Sequence, residues 1–257
     1  MPLPDSVLWK VFRSKAHAIE LQTEIQRYFS TNPARIVRVE GGNPDEFIGT
    51  VEAGGPIPGR LPIILGDCLQ NLRSALDYMV WELVLTAKNE PGRHNMFPIC
   101  GTLEAFEDQL VKRNRLKGVN PGAITEIQSL QPYHYGQDFE KAMLWVLDDL
   151  CNINKHRRVL LTDLKGGPSD LELQHIDGEV FGRVNLASIK KDAKIGPYPI
   201  VDGARGPGIK MDMNPNIAVY VAFNEGTTQD LDIGSVLAGM LKYVELELLP
   251  RFEPFFG

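Results

Sequence analysis

The sequence has few cysteines and no long hydrophobic run, and each scarcity excludes a class of protein. Its three cysteines form no Cys-x-x-Cys pair and have no histidines at metal-ligand spacing, so they predict reduced thiols and no metal site. No apolar run approaches the roughly 18 residues that span a bilayer, and the first 13 residues lack a signal-peptide pattern. We therefore expect a cytoplasmic protein without a membrane partner, a metal or a cofactor.

Positive charge is scarce as well. The 27 lysines and arginines are outnumbered by 33 aspartates and glutamates, which gives a net charge of -6 and a pI near 5.5. No global basic field attracts nucleic acid, so any contact with RNA would need a local patch. The content of 43% hydrophobic and 23% charged residues is ordinary for a globular domain, so a packed core is expected.

Hydrophobic periodicity predicts six helices. The strongest pattern lies at 62–88, where leucines fall on one face and Pro91-Gly92 provides the stop signal. The other predicted helices are 6–29, 103–112, 121–130, 139–161 and 231–249.

Short β-rich runs flank turn residues on both sides of this helical middle. The predicted strands are 35–40, 46–52, 171–176, 179–186 and 217–223, with Asp177-Gly178 as a hairpin turn. Because isolated hairpins are marginal in water, we expect 35–52 and 171–223 to join one sheet. The predicted fold class is α+β, with a bundle of long helices packed on a mainly antiparallel sheet in a single domain over 1–257. An alternative boundary lies near 166–168.

Two of the long helices carry polar side chains along one face, as a 100° step per residue shows. Together they supply carboxylates, an imidazole, cations and amides, which is an acid/base and phosphate-binding inventory. The predicted catalytic residues are Arg73, Lys155 and His156. The predicted ligand-binding residues are Asn71, Asp77, Tyr78, Asp149, Asn152 and Arg157. An alternative interpretation is a solvated face or a structural hydrogen-bond network between the helices.

The segments 71–81 (NLRSALDYMVW) and 152–157 (NINKHR) resemble a family of uncharacterised bacterial proteins with LRSALDH-hydrophobic-W and NxxKHR motifs. The first segment is also similar to the signature of HEPN helical proteins, many of them toxin or antiviral ribonucleases. That resemblance implies a metal-independent ribonuclease and matches Arg73 and Ser74. The position of the family's histidine holds Tyr78, which cannot act as a base at neutral pH without a large pKa shift.

Three functions are compatible with these features. The leading hypothesis is a binding or interaction protein with a polar pocket between the two long helices, whose ligand is a small molecule or RNA. The alternatives are the HEPN-like ribonuclease and a structural homo-oligomer without catalytic activity. A homodimer is expected because Phe252, Phe255 and Phe256 place three aromatic rings close to the end of the sequence.

Overall fold

The computed structural model describes most of the helical part of the chain and isolated parts of the remainder. Only the backbone is described for His156 and for the strand residues that precede Val221. The described residues are 2–31, 35–38, 46–52, 56–156, 161–166, 170–174, 180–185, 194–199, 219–224, 228 and 231–256.

The described chain begins with a long helix and returns to helices near its end. The helices are α1 (Asp5–Thr31), α2 (Arg60–Thr86), α3 (Leu103–Val111), α4 (Pro121–Ser129), α5 (Met143–His156) and α6 (Ile233–Lys242). The strands are β1 (Arg35–Arg38), β2 (Glu46–Glu52), β3 (Leu161–Gly166), β4 (Asp170–Gln174), β5 (Val180–Asn185), β6 (Lys194–Pro199) and β7 (Val219–Phe223).

The chain divides into two compact units, each made of separate stretches of sequence. The helical unit comprises 1–23, 59–160 and 223–257, and the strand-bearing unit comprises 24–58 and 161–222. The single domain over 1–257 and its alternative boundary near 166–168 stay predictions. The candidate functional residues from Asn71 to His156 belong to the helical unit.

Helix α2 is the core of the helical unit and confirms the strongest helix prediction. Its apolar face is fully buried, with Leu69, Leu72 and Leu76 each 0% exposed. Pro62 lies in the first turn, where a missing N–H costs no hydrogen bond. The helix ends two residues before Lys88, whose φ of 58° is left-handed and cannot continue a right-handed helix.

Helices α1 and α5 both pack against α2. On α1, Ser14 Oγ donates to the carbonyl oxygen of Cys68 at 2.8 Å. On α5, Asn154 lies over Gly66, where an added Cβ would be 2.6 Å from its amide atoms. The absence of a side chain at Gly66 therefore allows the close approach of α5.

The prediction of one helix over 139–161 is wrong at both ends. Residues Pro132–Lys141 form 3-10 turns, interrupted at Gly136 with a φ of 60°, and α5 begins only at Met143. Its last residue is His156, and the chain is a strand again from Leu161. A left-handed glycine interrupts the α-helical path before Phe139, which packs edge-on against Trp145 instead, with ring centroids 4.7 Å apart.

The predicted α+β fold, a helix bundle packed on one antiparallel sheet, is wrong. Among the residues whose side chains are described, 75% are helical. They include one short strand and no sheet. The strands described by backbone form three separate ladders, β1-β2-β6, β3-β7 and β4-β5. From the second half of the chain, β6 pairs with β2, whereas β4 pairs with β5 and β3 with β7, so these strands do not join one sheet.

The phenylalanines near the end of the sequence are not an exposed apolar tail. After α6, a π-helical segment (Tyr243–Leu248) and a 3-10 segment (Leu249–Phe256) continue the helical path. Phe252 and Phe256 are 0% and 3% exposed, and Phe255 lies against Gly122 of α4. The physical basis for predicting a homodimer from this segment is therefore absent.

Membrane spanning is not supported by any helix that the structure describes. None of these helices combines the length and the apolar character needed to cross a bilayer. Helices α1 and α2 reach 27 residues each, but both contain several charged residues. The cytoplasmic location stays a prediction.

Candidate functional site

Polar side chains of α2 hold the segment between α2 and α3 by its backbone. Arg73 Nη2 donates to the carbonyl oxygen of Phe97 at 2.7 Å. The Phe97 N–H donates to Asp77 Oδ1 at 2.9 Å. Because residues four apart lie on the same side of a helix, Arg73 Nη1 and Asp77 Oδ1 also approach to 3.2 Å. The pair therefore clamps Phe97 through both of its backbone polar groups.

Helix α5 adds a second carboxylate to this pair. Asp148 Oδ1 lies 3.7 Å from Arg73 Nε, and Asp148 Oδ2 accepts a hydrogen bond from Asn152 Nδ2 at 3.0 Å. Burial raises the pKa of Asp77, and the positive charges of Arg73 and Lys155 oppose this rise. Arg73, Asp77, Asp148, Asn152 and Lys155 are named the α2–α5 cluster here.

The guanidinium in the cluster is buried, whereas the two carboxylates reach the surface. Arg73 is 8% exposed, while the side chains of Asp77 and Asp148 are 31% and 28% exposed. Among the described residues, Nη1 of Arg73 has no hydrogen-bond partner; its approach to Asp77 is an ion pair without hydrogen-bond alignment. The cluster thus combines an unsatisfied buried donor with partly exposed acceptors.

The structure separates the other predicted site residues from this cluster. Asn71 donates to the carbonyl oxygen of Asp67 in its own helix at 2.8 Å. Tyr78 is 44% exposed and lies under Lys10 of α1, whose Nζ is 5.1 Å from the ring centroid. Asp149 is half-buried on α5 and contacts neither Arg73 nor Asp77 in the described ion pairs.

The last two predicted residues cannot be placed in the site. The side chain of His156 lies outside the described residues, although its backbone ends α5. Arg157 lies outside the described residues entirely. The roles predicted for both residues stay predictions.

Sequence reasoning missed two residues that organise the site. Asp148 borders the polar stripe of α5, and its spacing of four from Asn152 was the available signal. Gln131 gave no signal, yet it is 0% exposed. Its Oε1 accepts from the Cys100 N–H at 3.0 Å, and its Nε2 donates at 3.0 Å to the carbonyl oxygens of Pro98 and Ile127.

The three cysteines are free thiols buried in the helical unit. Burial raises the pKa of Cys68 and of Cys100 to about 11. It raises the pKa of Cys151 to about 12. Since the thiolate is the reactive species, none of the three is suited to nucleophilic catalysis at neutral pH.

We expect the folded protein to react slowly with iodoacetamide at pH 8. A thiol with a pKa near 11 has a thiolate fraction lower by about 100-fold than an ordinary cysteine, and burial slows it further. Intact-mass spectrometry should show three modifications in urea and none over the same time without it. The variant Val111→Cys, at a position 77% exposed, supplies the control thiol. A native thiol that reacts as fast as this control would contradict the expectation.

The cluster provides hydrogen bonding and charge but no preassembled metal centre. Among the residues with described side chains, no group of three or more His, Cys, Asp or Glu is arranged to hold a metal ion.

Comparisons with protein-family models, with curated proteins and with solved structures each found no match. The functional argument therefore rests on the chemistry of the cluster itself.

Proposed function

We propose that this chain is a binding protein that takes a small polar ligand at the α2–α5 cluster. The observation that carries the proposal is the buried Nη1 of Arg73, which has no hydrogen-bond partner among the described residues. A buried donor without an acceptor costs about 1–3 kcal/mol. A ligand acceptor that reaches Nη1 would remove this cost, and the binding free energy would include the gain.

The neighbouring groups define the chemistry of that ligand. Asp77 and Asp148 expose carboxylate edges beside the guanidinium, and a carboxylate only accepts hydrogen bonds when ionised. A ligand that places a hydrogen-bond donor next to an acceptor therefore matches the cluster. Amides and amino-heterocycles have this pattern. A simple anion matches it poorly, because two carboxylates repel it.

This chemistry favours the small molecule over RNA among the predicted partners. Phosphates would meet Asp77 and Asp148 at the cluster, and the net charge of the chain is -6. The HEPN-like ribonuclease stays a prediction that the described geometry does not favour. Arg73 is engaged by Phe97, and Tyr78, at the histidine position, lies against Lys10 of α1.

The binding proposal can be tested by ¹⁵N NMR titration with cytosine, which carries an amino donor beside a ring acceptor. We expect the Arg73 Nε–Hε and Phe97 amide signals to shift, with a Kd below about 1 mM, a level reached by good fragments of this size. Acetate offers only acceptors and methylammonium only donors. Each should bind at least about tenfold more weakly, since one side of the cluster is left unused.

A matched pair of variants assigns the signal to the cluster. Asp148→Asn removes one acceptor edge while it keeps the side-chain shape, and we expect it to weaken cytosine binding by about tenfold. Asp108→Asn makes the same change on α3, where Asp108 pairs with Lys112, and should leave binding unchanged. Equal binding by both variants, or no shifts at the cluster in wild type, would contradict the proposal.

A further inference from the structure

Helix α1 carries two apolar faces, and only one of them has a partner in the described part of the chain. The inner face includes Val7, Val11 and Leu21, which are 0%, 4% and 1% exposed. The opposite face has Trp9, Phe12, Ala16 and Ile19, at steps of three and four residues. These four residues are named the outer seam. A solvated helix normally has one apolar stripe and a polar opposite face.

The large side chains of the outer seam are strongly exposed. Trp9, Phe12 and Ile19 are 66%, 63% and 66% exposed, and the rings of Trp9 and Phe12 contact each other edge-on at 5.8 Å. Their spacing is that of core positions in paired helices, where the side chains of one helix insert between those of another. Ala16 is small enough for a second helix to approach closely.

Two aromatic side chains of the neighbouring helix α2 are exposed as well. Tyr78 and Trp81 are 44% and 42% exposed, and Lys10 of α1 covers the Tyr78 ring. Ser6 Oγ donates to Glu82 Oε1 at 2.6 Å, which holds the two helices side by side there. The helix beside α1 therefore exposes two further aromatic rings.

The size of this surface suits a protein interface. With 150–250 Å² for each aromatic side chain, the exposed parts of the seam and of the two α2 aromatics amount to about 500 Å². Monomeric proteins rarely expose apolar patches larger than a few hundred Å². Two such surfaces pressed together would bury about 1,000 Å², which is the lower bound for a specific interface.

Unpaired charges indicate which partner fits. Asp5 and Arg13 are exposed, lie four residues on either side of Trp9 and make no ion pair with any described residue. If a second copy of α1 runs antiparallel across a two-fold axis near Trp9, Asp5 of each copy faces Arg13 of the other. The charges at the rim are thus self-complementary about this axis, as a two-fold interface requires.

We propose that two copies of this chain form a homodimer through the outer seam of α1. The paired surfaces bury Trp9 and Phe12 at the centre and place the two Asp5–Arg13 pairs at the rim. This arrangement uses none of the residues of the α2–α5 cluster. It also accounts for the apolar outer face of α1, which its own chain leaves exposed.

Sedimentation equilibrium of the full chain between about 1 and 100 μM tests the dimer. We expect wild type to approach twice its 28.7 kDa chain mass within this range. Phe12→Glu should raise the dissociation constant by at least about 30-fold, the loss typical of a central aromatic anchor. Val111→Glu, at another exposed apolar position on α3, should leave the constant unchanged.

Charge exchange identifies the antiparallel partner. Arg13→Glu should raise the dissociation constant by about tenfold, because the new glutamate of each copy then faces the like charge of Asp5 in the other copy. Combining Asp5→Arg with Arg13→Asp should restore it to within about threefold of wild type. A monomeric wild type at 100 μM, an equal effect of Val111→Glu and Phe12→Glu, or a charge exchange that fails to restore association would each overturn the proposal.

Discussion

Replacing Arg73 by alanine is expected to lower the free energy of unfolding by about 3–5 kcal/mol, because breaking a buried ion pair leaves the remaining charges uncompensated. Arg73 is 8% exposed and lies between the carboxylates of Asp77 and Asp148. The change also removes the donor to the Phe97 carbonyl oxygen. Three interactions are therefore lost together.

Urea unfolding at pH 7, followed by circular dichroism, measures this effect. Arg93→Ala is the matched control, because Arg93 is exposed and we expect a change within about 0.5 kcal/mol. The Phe97 amide should also shift strongly in NMR spectra of Arg73→Ala, since the clamp on that residue is opened. If Arg73→Ala costs no more than Arg93→Ala, the guanidinium is solvated in solution and the α2–α5 cluster is not a site.

Replacing Gln131 by leucine is expected to cost about 3 kcal/mol or more. The amide of Gln131 satisfies the Cys100 N–H and the Pro98 carbonyl oxygen in a fully buried position. Leucine has a similar volume but no polar atoms, so both backbone groups would lose their partner without gaining water. Each unsatisfied buried group costs about 1–3 kcal/mol.

The same unfolding experiment tests this second effect against a neighbour. Gln128→Leu makes the same change one turn earlier on α4, at a half-buried position, and should change stability by about 0.5 kcal/mol or less. A loss for Gln131→Leu as small as that of Gln128→Leu would show that residues 98–100 find other partners. A loss of 3 kcal/mol would identify Gln131 as the main support of this segment.

The two large effects should be coupled. Arg73 and Asp77 hold residue 97 from α2, while Gln131 holds residues 98 and 100 from the end of α4. Because both act on one short segment, opening either clamp weakens the other. We expect the double variant Arg73→Ala/Gln131→Leu to lose less stability than the two single losses combined, by about 0.5–3 kcal/mol.

Most of the helix predictions, which depend on near neighbours in the sequence, succeeded. The helices predicted at 62–88, 103–112 and 121–130 agree with α2, α3 and α4 to within about two residues at each end. Arg73 and Asp77, four residues apart on α2, form the ion pair that this spacing favours. Helical periodicity and i,i+4 geometry operate within one or two turns, so distant residues do not alter them.

Predictions that depend on distant partners failed or could not be made. Gln131 reaches Cys100 across 31 residues of sequence, and no pattern around it indicates a buried amide. The β6 strand lies outside every strand predicted from the sequence, yet it pairs with β2. The phenylalanines at 252 and 256 suggested an exposed surface, whereas packing buries both.

The sequence by itself determined the class of the long helices, their apolar faces, the reduced state of the cysteines and the Arg73–Asp77 pair, because each follows from residues within a few turns. Only the tertiary structure decided that Asp148 joins this pair, that strands form separate ladders, and that α1 keeps an exposed outer seam. These features depend on which surfaces meet. That choice is made by packing between segments far apart in the chain, where local periodicity carries no information.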